Sequence, residues 1–205
     1  MKSVQEPGKR GPKPNPKTRE NLIRSGMQLL HETGYSATGV KDIVDAARVP
    51  KGSFYNHFES KETFGAEVVD FYFDSGVESL RALLTNSKFE PIERLKSFFK
   101  FKIRAYKEAG YVRGCMLGNL SLEVGDRSPL IRERLAAHFR TWSGLFADCI
   151  AEAQESGAIR NQLPASQLAQ FVMESWEGAL LRMRVEKSDA PLKRFTEVIF
   201  GALLI

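Results

Sequence analysis

The sequence predicts an all-α chain of about nine helices, from three observations. Apolar residues recur at intervals of three and four, and period-two alternation is absent. Ser, Pro and Gly stand at the ends of the periodic stretches, where helices start and stop. A hydrophobic content of 42% over 205 residues is enough for one sizeable core and a small satellite domain.

Residues 1–17 form a Pro-, Gly- and Lys-rich arm containing KRGPKPNPK, which has too few apolar residues to fold alone. A first helix is expected from Thr18 to Thr33, with Leu22, Gly26, Leu29 and Leu30 inward and Gly34 as its stop. Thr38 is expected to cap a second helix whose apolar face is Val40, Ile43, Val44 and Ala47. Arg48 and Val49 make a turn, and Pro50 suits the first position of a third helix. Ser60 caps a fourth, from Lys61 to about Leu84, with Phe64, Val68 and Phe71 inward. Pro91 heads a fifth that stops at Gly110, and a short glycine-bounded helix, GCMLGNLSLEVG, follows. Ser128 and Pro129 open a long helix ending at Gly157. Two more follow, one with Leu168, Phe171, Val172, Trp176, Ala179, Leu180 and Met183 inward, the last with Leu192, Phe195, Ile199, Ala202 and Leu203.

Within TGVKDIVDAARVPKGSFYNHFESK, Phe54 and Phe58 are four apart, so both rings point into the packing against the preceding helix. Gly52, Ser53 and Asn56 then face outward, with Tyr55 and His57 flanking and Lys51 at the N-terminal end. Such a surface, small, polar and free of carboxylate, suits a major groove, where Gly52 lets the backbone approach and Lys51 reaches a base edge. Helix-turn-helix units also serve as protein-binding modules, so the charge distribution matters. Residues 1–61 hold eleven Lys and Arg against six Asp and Glu, and residues 62–205 hold nineteen of each. The excess cation therefore sits with the motif, as a reader of a polyanion requires. Lys9, Arg10 and Lys13 allow the arm to follow the minor groove, the other reading being a solvated tail.

In VPKGSFYNHFESKE, together with Gly34, Tyr35 and Thr38, the chain resembles the TetR family of bacterial one-component repressors, firmly over about residues 18–65 and more weakly to the C-terminus. The resemblance implies an N-terminal three-helix DNA-binding domain, residues 18–63, and a helical effector-binding and dimerisation domain, residues 64–205. DNA contacts are expected from Thr38, Lys51, Gly52, Ser53, Tyr55, Asn56, His57 and Lys61, and from Arg10 in the arm. It further implies a homodimer through the last two helices, which carry more apolar surface than one side of a bundle requires. A dimer would read two half-sites of a palindromic double-stranded operator. The other use of that surface is to complete a monomer core.

An effector pocket is expected among Tyr106, Cys115, Asn119, Trp142, Trp176, Arg182 and Arg184, although aromatic residues at helical spacing also simply build cores. Arg182 and Arg184 lie on an otherwise apolar helix, so a partner is expected from Glu123, Glu177 or an acidic ligand. The strings YVRGCMLGNLSLEVGD and SWEGALLRMRVE resemble a subgroup that includes acrylate-responsive and N-ethylmaleimide-responsive repressors. In that subgroup the position of Cys115 is a sensing thiol or lies in the effector pocket. Arg113 and the start of a short helix would favour its thiolate. Against this, a free cysteine is commonly an inert small hydrophobe. Relatives can carry lysine where this chain has Arg184, which removes sulfur–lysine chemistry and favours anion binding by the arginine.

Neither a metal nor a cofactor is expected, because three histidines and two cysteines 34 residues apart offer no ligand spacing. An enzyme would have to rest on Cys115 with His138 as base, which nothing in the sequence orients. A ligand-free architectural DNA binder would leave the large neutral remainder without a purpose. The longest apolar run near the C-terminus, VIFGALLI, is too short to span a bilayer, the N-terminus is no secretory signal, and a cytoplasmic protein with reduced thiols is expected.

Overall fold

The computed structural model describes residues 16–205. Among these there are nine α-helices and no strand: α1 Pro16–Thr33, α2 Val40–Ala46, α3 Lys51–Tyr55, α4 Lys61–Leu84, α5 Pro91–Glu108, α6 Met116–Val124, α7 Pro129–Glu155, α8 Ala165–Glu186 and α9 Ala190–Val198, the last running into a wider turn at Ile199–Leu203. Arg10 and the rest of the expected arm up to residue 15 lie outside the described residues, and α1 begins two residues before the Thr18 expected from its pattern.

The first three helices pack around a knot of aromatic rings. Phe54 and Phe58 are buried as their spacing requires, and both meet Phe64 of α4, with ring centroids 5.1 and 4.9 Å away. A Cβ on Gly26 of α1 would overlap the Phe64 ring, so glycine is what lets α1 close on α4. The start of α2 differs from expectation. Gly39 is the capping residue, its amide bonded to Asp42 Oδ2 at 2.7 Å. Thr38 is 2% exposed, and its hydroxyl donates to Gly34 O at 2.6 Å, which makes it a staple of the α1–α2 turn. Arg48 takes a left-handed φ of 56° to make the α2–α3 turn. Pro50 sits one place earlier than expected, as the residue before α3, and Ser60 Oγ caps α4 by accepting from Thr63 N at 3.0 Å.

From there α4 runs along α7, α7 along α8, and α8 along α9, with α5 and α6 closing the sides. The bundle core is aromatic: Phe99, Trp176 and Phe195 stack edge to face with centroids 4.9 to 5.1 Å apart. Ser128 Oγ accepts from Ile131 N to cap α7 and donates to Glu62 Oε1 at 2.5 Å, which ties α7 to the head of α4. The sequence pattern does not show the role of Arg94. Its buried guanidinium donates to both oxygens of Glu152, at 2.6 and 3.0 Å, and to the carbonyls of Leu84 and Phe89. It thereby pins the α4–α5 turn to α7 with four hydrogen bonds, which is what makes a buried cation tolerable. Phe171, expected inward, is 53% exposed, and shares a face of α8 with exposed Leu181 and Val185.

Phe54→Ala is expected to cost about 3–5 kcal/mol, because three rings lose a partner and the short α3 cannot collapse into the gap. Urea unfolding followed by circular dichroism measures it, with Tyr55→Ala, at an exposed position, as the near-neutral control.

Candidate functional site

The five residues of α3 are held from below by the ring knot, so their other side is free to meet a partner. Lys51, Gly52, Tyr55 and Asn56 are exposed, Ser53 and His57 half-buried. Nothing in the protein lies within 4 Å of where a Gly52 Cβ would stand. Glycine is thus not demanded there by the fold, and the free space suits close approach by another molecule. Two expected contacts face elsewhere. Thr38 is spent inside the α1–α2 turn, and Lys61 donates to Tyr35 O at 2.6 Å while its ammonium lies 4.2 Å from the Tyr35 ring centre. Burial pulls Lys61 below the ordinary lysine value, against the attraction of Glu123 and Asp42.

Helix α6 touches the first three helices at both its ends. At its C-terminal end, Glu123 accepts from the backbone amides of Tyr35 at 2.9 Å and Ser36 at 2.5 Å. Gly34 has φ +89°, and a Cβ there would come 2.8 Å from Glu123 Oε2, so glycine is needed twice over. Burial works against the charge on Glu123, but the Ser36 and Tyr35 amides, with Lys61, hold its carboxyl below the usual range. Before the N-terminal end, His31 of α1 donates its Nε2–H to Gly114 O at 2.9 Å, and Arg113 pairs with Glu32 at 2.5 Å. Burial lowers the His31 pKa and favours the neutral ring that makes this single bond. Tyr72 of α4 packs edge-on against His31, centroids 5.5 Å apart.

Cys115 sits between these contacts as the residue before α6, 3% exposed. The expectation that Arg113 favours its thiolate fails, because Arg113 turns to Glu32. Burial and then the charge of Glu177 push the thiol well above its ordinary value, and the amides of Gly118 and Leu117 only partly oppose this. Burial likewise raises the Glu177 carboxyl to about 7, while its hydrogen bond with Cys115 pulls the other way. Glu177 Oε1 is buried and has no hydrogen-bond partner among the described residues. Cys149, by contrast, faces the Pro91 carbonyl at 3.4 Å, deep in the bundle, and burial raises its thiol to about 11.

The expected pocket residues divide into three groups. Cys115, Asn119 and Arg184 line one groove between α6 and α8, of about 550 Å³, together with Glu177, Leu122 and Leu181. Tyr106 and Trp176 stand behind it in the core, centroids 6.4 Å apart, and Trp142 lines a separate cavity between α4, α5, α6 and α7. Arg182 belongs to neither cavity: it is 65% exposed and bonds Glu186 one turn on. Arg184 is exposed too, with Nη1 2.7 Å from Asn119 Oδ1. Neither arginine pairs with Glu123 or Glu177, since the pattern that suggested burial placed both on the inner face of α8 and the helix turns them out. His138 bonds Asp70 Oδ1 at 2.7 Å and stacks on Phe73. Among the described residues no group of His, Cys, Asp and Glu is placed to hold a metal, and no helix is long and apolar enough to cross a membrane.

Comparison with known proteins matches residues 22–68 to the family described as bacterial regulatory proteins, tetR family, and residues 91–199 to the tetracyclin repressor-like C-terminal domain. The chain is 41% identical over 186 residues to the HTH-type transcriptional repressor DhaR of Mycobacterium sp. (strain GP1), covering 91% of this chain and 92% of that one. It is 36% identical over 182 residues to the transcriptional regulator AcuR of Cereibacter sphaeroides, covering 89% and 83% respectively. The crystal structure of reduced E. coli NemR superposes with a TM-score of 0.84 at 27% identity, covering 90% of this chain and 95% of that one.

Glu123→Gln is expected to lower stability at neutral pH by about 1 kcal/mol, through loss of a charge-assisted bond to two amides. Because the folded-state pKa is depressed, the contribution is present above the unfolded carboxylate pKa and is lost as pH falls through the lower folded value. Urea midpoints at pH 7 and in the acid range should therefore differ less for the variant than for the parent.

Proposed function

The chain belongs to the TetR family of helix-turn-helix transcriptional repressors, DNA-binding regulators and not enzymes, and on that premise we propose that it is released from a palindromic operator when a small effector enters the helical bundle. The observation that carries this reading is the free outer face of α3, where Lys51, Gly52, Tyr55 and Asn56 have no work to do inside the protein. Residues 18–63 form the DNA-binding unit and 64–205 the effector and dimerisation unit, with residues 1–17 as a basic arm. Ser53 and His57 border the contact, and Arg10 extends it into the minor groove. Thr38 and Lys61 serve from behind, by setting the α1–α2 turn.

Two copies pair through α8 and α9. Phe171, Leu181 and Val185 on α8 and Val198 on α9 are each more than half exposed in the single chain, an apolar stripe that supports an isologous interface. The two α3 helices of such a dimer must match a fixed groove spacing.

The effector reading rests on Cys115 and on the resemblance to acrylate- and N-ethylmaleimide-responsive repressors. Cys115 adds to an electrophilic alkene: Glu177 takes the thiol proton, sulfur bonds to the β-carbon as the π bond breaks, and the α-carbon receives a proton in return. A carboxyl held near 7 is suited to such a relay. The sulfur itself is buried at the edge of the α6–α8 groove, so an adduct that extends into the groove presses on the head of α6, and through it on Gly114, His31 and the Glu123 clamp. A coupling of about 1–3 kcal/mol is enough for a switch.

Lys51→Ala and Gly52→Ala should each weaken operator binding about tenfold in a fluorescence-anisotropy titration, with unchanged melting temperature and dimer mass. Unaltered affinity in both removes α3 as the recognition element. Cys115→Ser should keep full DNA affinity and ignore N-ethylmaleimide, while Cys149→Ser responds as the parent does. A Cys115→Ser protein that is still released would place the reactive group elsewhere.

A further inference from the structure

The cavity between α4, α5, α6 and α7 has a volume of about 410 Å³ and is lined mostly by aromatic and aliphatic side chains. Lys102 of α5 is the one charged residue among the described residues that line it. Three other charges held inside the described residues are matched. Arg94 has Glu152, Lys61 has the Tyr35 carbonyl, and Glu123 has two amides. The Lys102 ammonium has no hydrogen bond or ion pair among the described residues, only the Phe98 ring at 5.8 Å. Burial pulls it below the ordinary lysine value, and the nearest opposing influence is Cys115, a thiol that burial keeps protonated. A half-buried ammonium on an apolar wall is costly unless an anion joins it. None of the described residues that line the cavity supplies one.

We propose that this cavity binds an amphipathic monocarboxylate, its headgroup on the Lys102 ammonium and its apolar chain against Leu80, Leu83, Phe98, Leu117 and Trp142. The inference rests on the reading of the protein as an effector-released repressor and names the chemical class of a non-covalent effector. The polar edges of the cavity agree with a single headgroup. Ser75, Ser79 and the Tyr72 hydroxyl are neutral, with Ser75 already donating to Tyr72 O, and no carboxylate lines the wall to repel an acid. A volume of this size suits a chain of several carbons and is larger than the shortest acids fill. The site is also joined to the switch. Tyr72 reaches from the cavity wall to the amide of Met116 at the head of α6, 3.5 Å away, and its ring packs on His31. A headgroup that draws Lys102 and Tyr72 together acts on the same junction as an adduct at Cys115, but leaves the thiol unmodified.

Calorimetric titration of the full chain with hexanoate, hexan-1-ol and hexylamine tests the class, and operator release by hexanoate tests the coupling. Hexanoate is expected to bind at least about tenfold more tightly than the alcohol, and hexylamine more weakly still. Lys102→Met should lose that preference while keeping operator affinity and dimer mass, and Lys102→Arg should retain it. Equal binding of acid and alcohol by the parent, or an undiminished preference in Lys102→Met, overturns the proposal. Acetate, decanoate and benzoate, run alongside, decide whether absence of hexanoate binding is a matter of chain length; no binding by any of the four acids also overturns it. N-ethylmaleimide release from the operator is measured on the same samples. Release by the maleimide without carboxylate binding leaves the repressor reading standing and removes only this inference.

Discussion

The Glu123 carboxylate holds two backbone amides that would otherwise face solvent at the end of α1, and the rest of the molecule is arranged around that bond. Helix α6 is too short to stand alone, and its position is set by what it grips at each end. At one end it fixes the α1–α2 turn through Tyr35 and Ser36. Just before the other, the Gly114 carbonyl receives His31 from the same α1. Lys61 adds a third strand to the junction by donating to Tyr35 O, which ties the first residue of α4 to the same turn. The three-helix unit therefore cannot rotate on the bundle without breaking charge-assisted bonds, each of which is modest alone and cooperative together.

That arrangement explains why a thiol with so little tendency to ionise sits at Cys115. An exposed, low-pKa cysteine reacts readily and with many reagents. On the proposed mechanism Cys115, buried beside Glu177 at the edge of the α6–α8 groove, trades speed for consequence, since what bonds to its sulfur presses on the head of α6. The unpartnered Glu177 oxygen carries the cost of this design, as a buried polar atom left without a hydrogen bond. Left-handed backbone at Gly110, Tyr111, Arg113 and Gly114, φ between 58° and 100°, gathers in the segment that leads into the same point. Two of those four residues are not glycine, so this entry to α6 holds some strain that a shift could relieve.

The fold and family were legible in the sequence because their signals are local. Phe54 and Phe58 at spacing four, Ser60 and Ser128 as caps, and glycine after α1 and α5 each act within a few residues of themselves. The effector region was not legible to the same degree, because its partners lie far apart in the chain. Glu123 and Tyr35 are 88 residues apart, and Arg94 and Glu152 are 58 apart. Arg182 and Arg184 share an apolar helix, yet periodicity alone cannot say which side of α8 is covered by the bundle and which is left for another subunit. Phe171 misled for the same reason: an aromatic residue at helical spacing looks the same whether it faces its own core or a partner's. Lys102 carried no signal at all, being one of six Lys and Arg in PIERLKSFFKFKIRAYKE; only the cavity distinguishes it.

On the proposed release mechanism, what links the two proposed ligand sites to DNA is the stiffness of α4. Its 24 residues begin at the Ser60 cap beside α3, pass the Phe64 knot, offer Tyr72 to His31 and α6, and end where Arg94 locks the turn to α7. The far end is fixed by four hydrogen bonds, and the near end by the Ser60 cap, the Lys61–Tyr35 and Ser128–Glu62 bonds and the packing of three rings, so α4 is held at both ends and moves together with the turns it ties down. On the proposed release mechanism, a displacement at Tyr72, near mid-helix, is carried along the remaining length to Phe64 and Lys61. Because α3 is only five residues long and rests on Phe64 as well as on α1 and α2, it follows the head of α4 together with that three-helix unit. In the proposed pair of such chains the displacement is doubled by symmetry, so that a small change at the cavity becomes a change in the separation of two recognition helices that DNA, with its fixed helical repeat, does not follow.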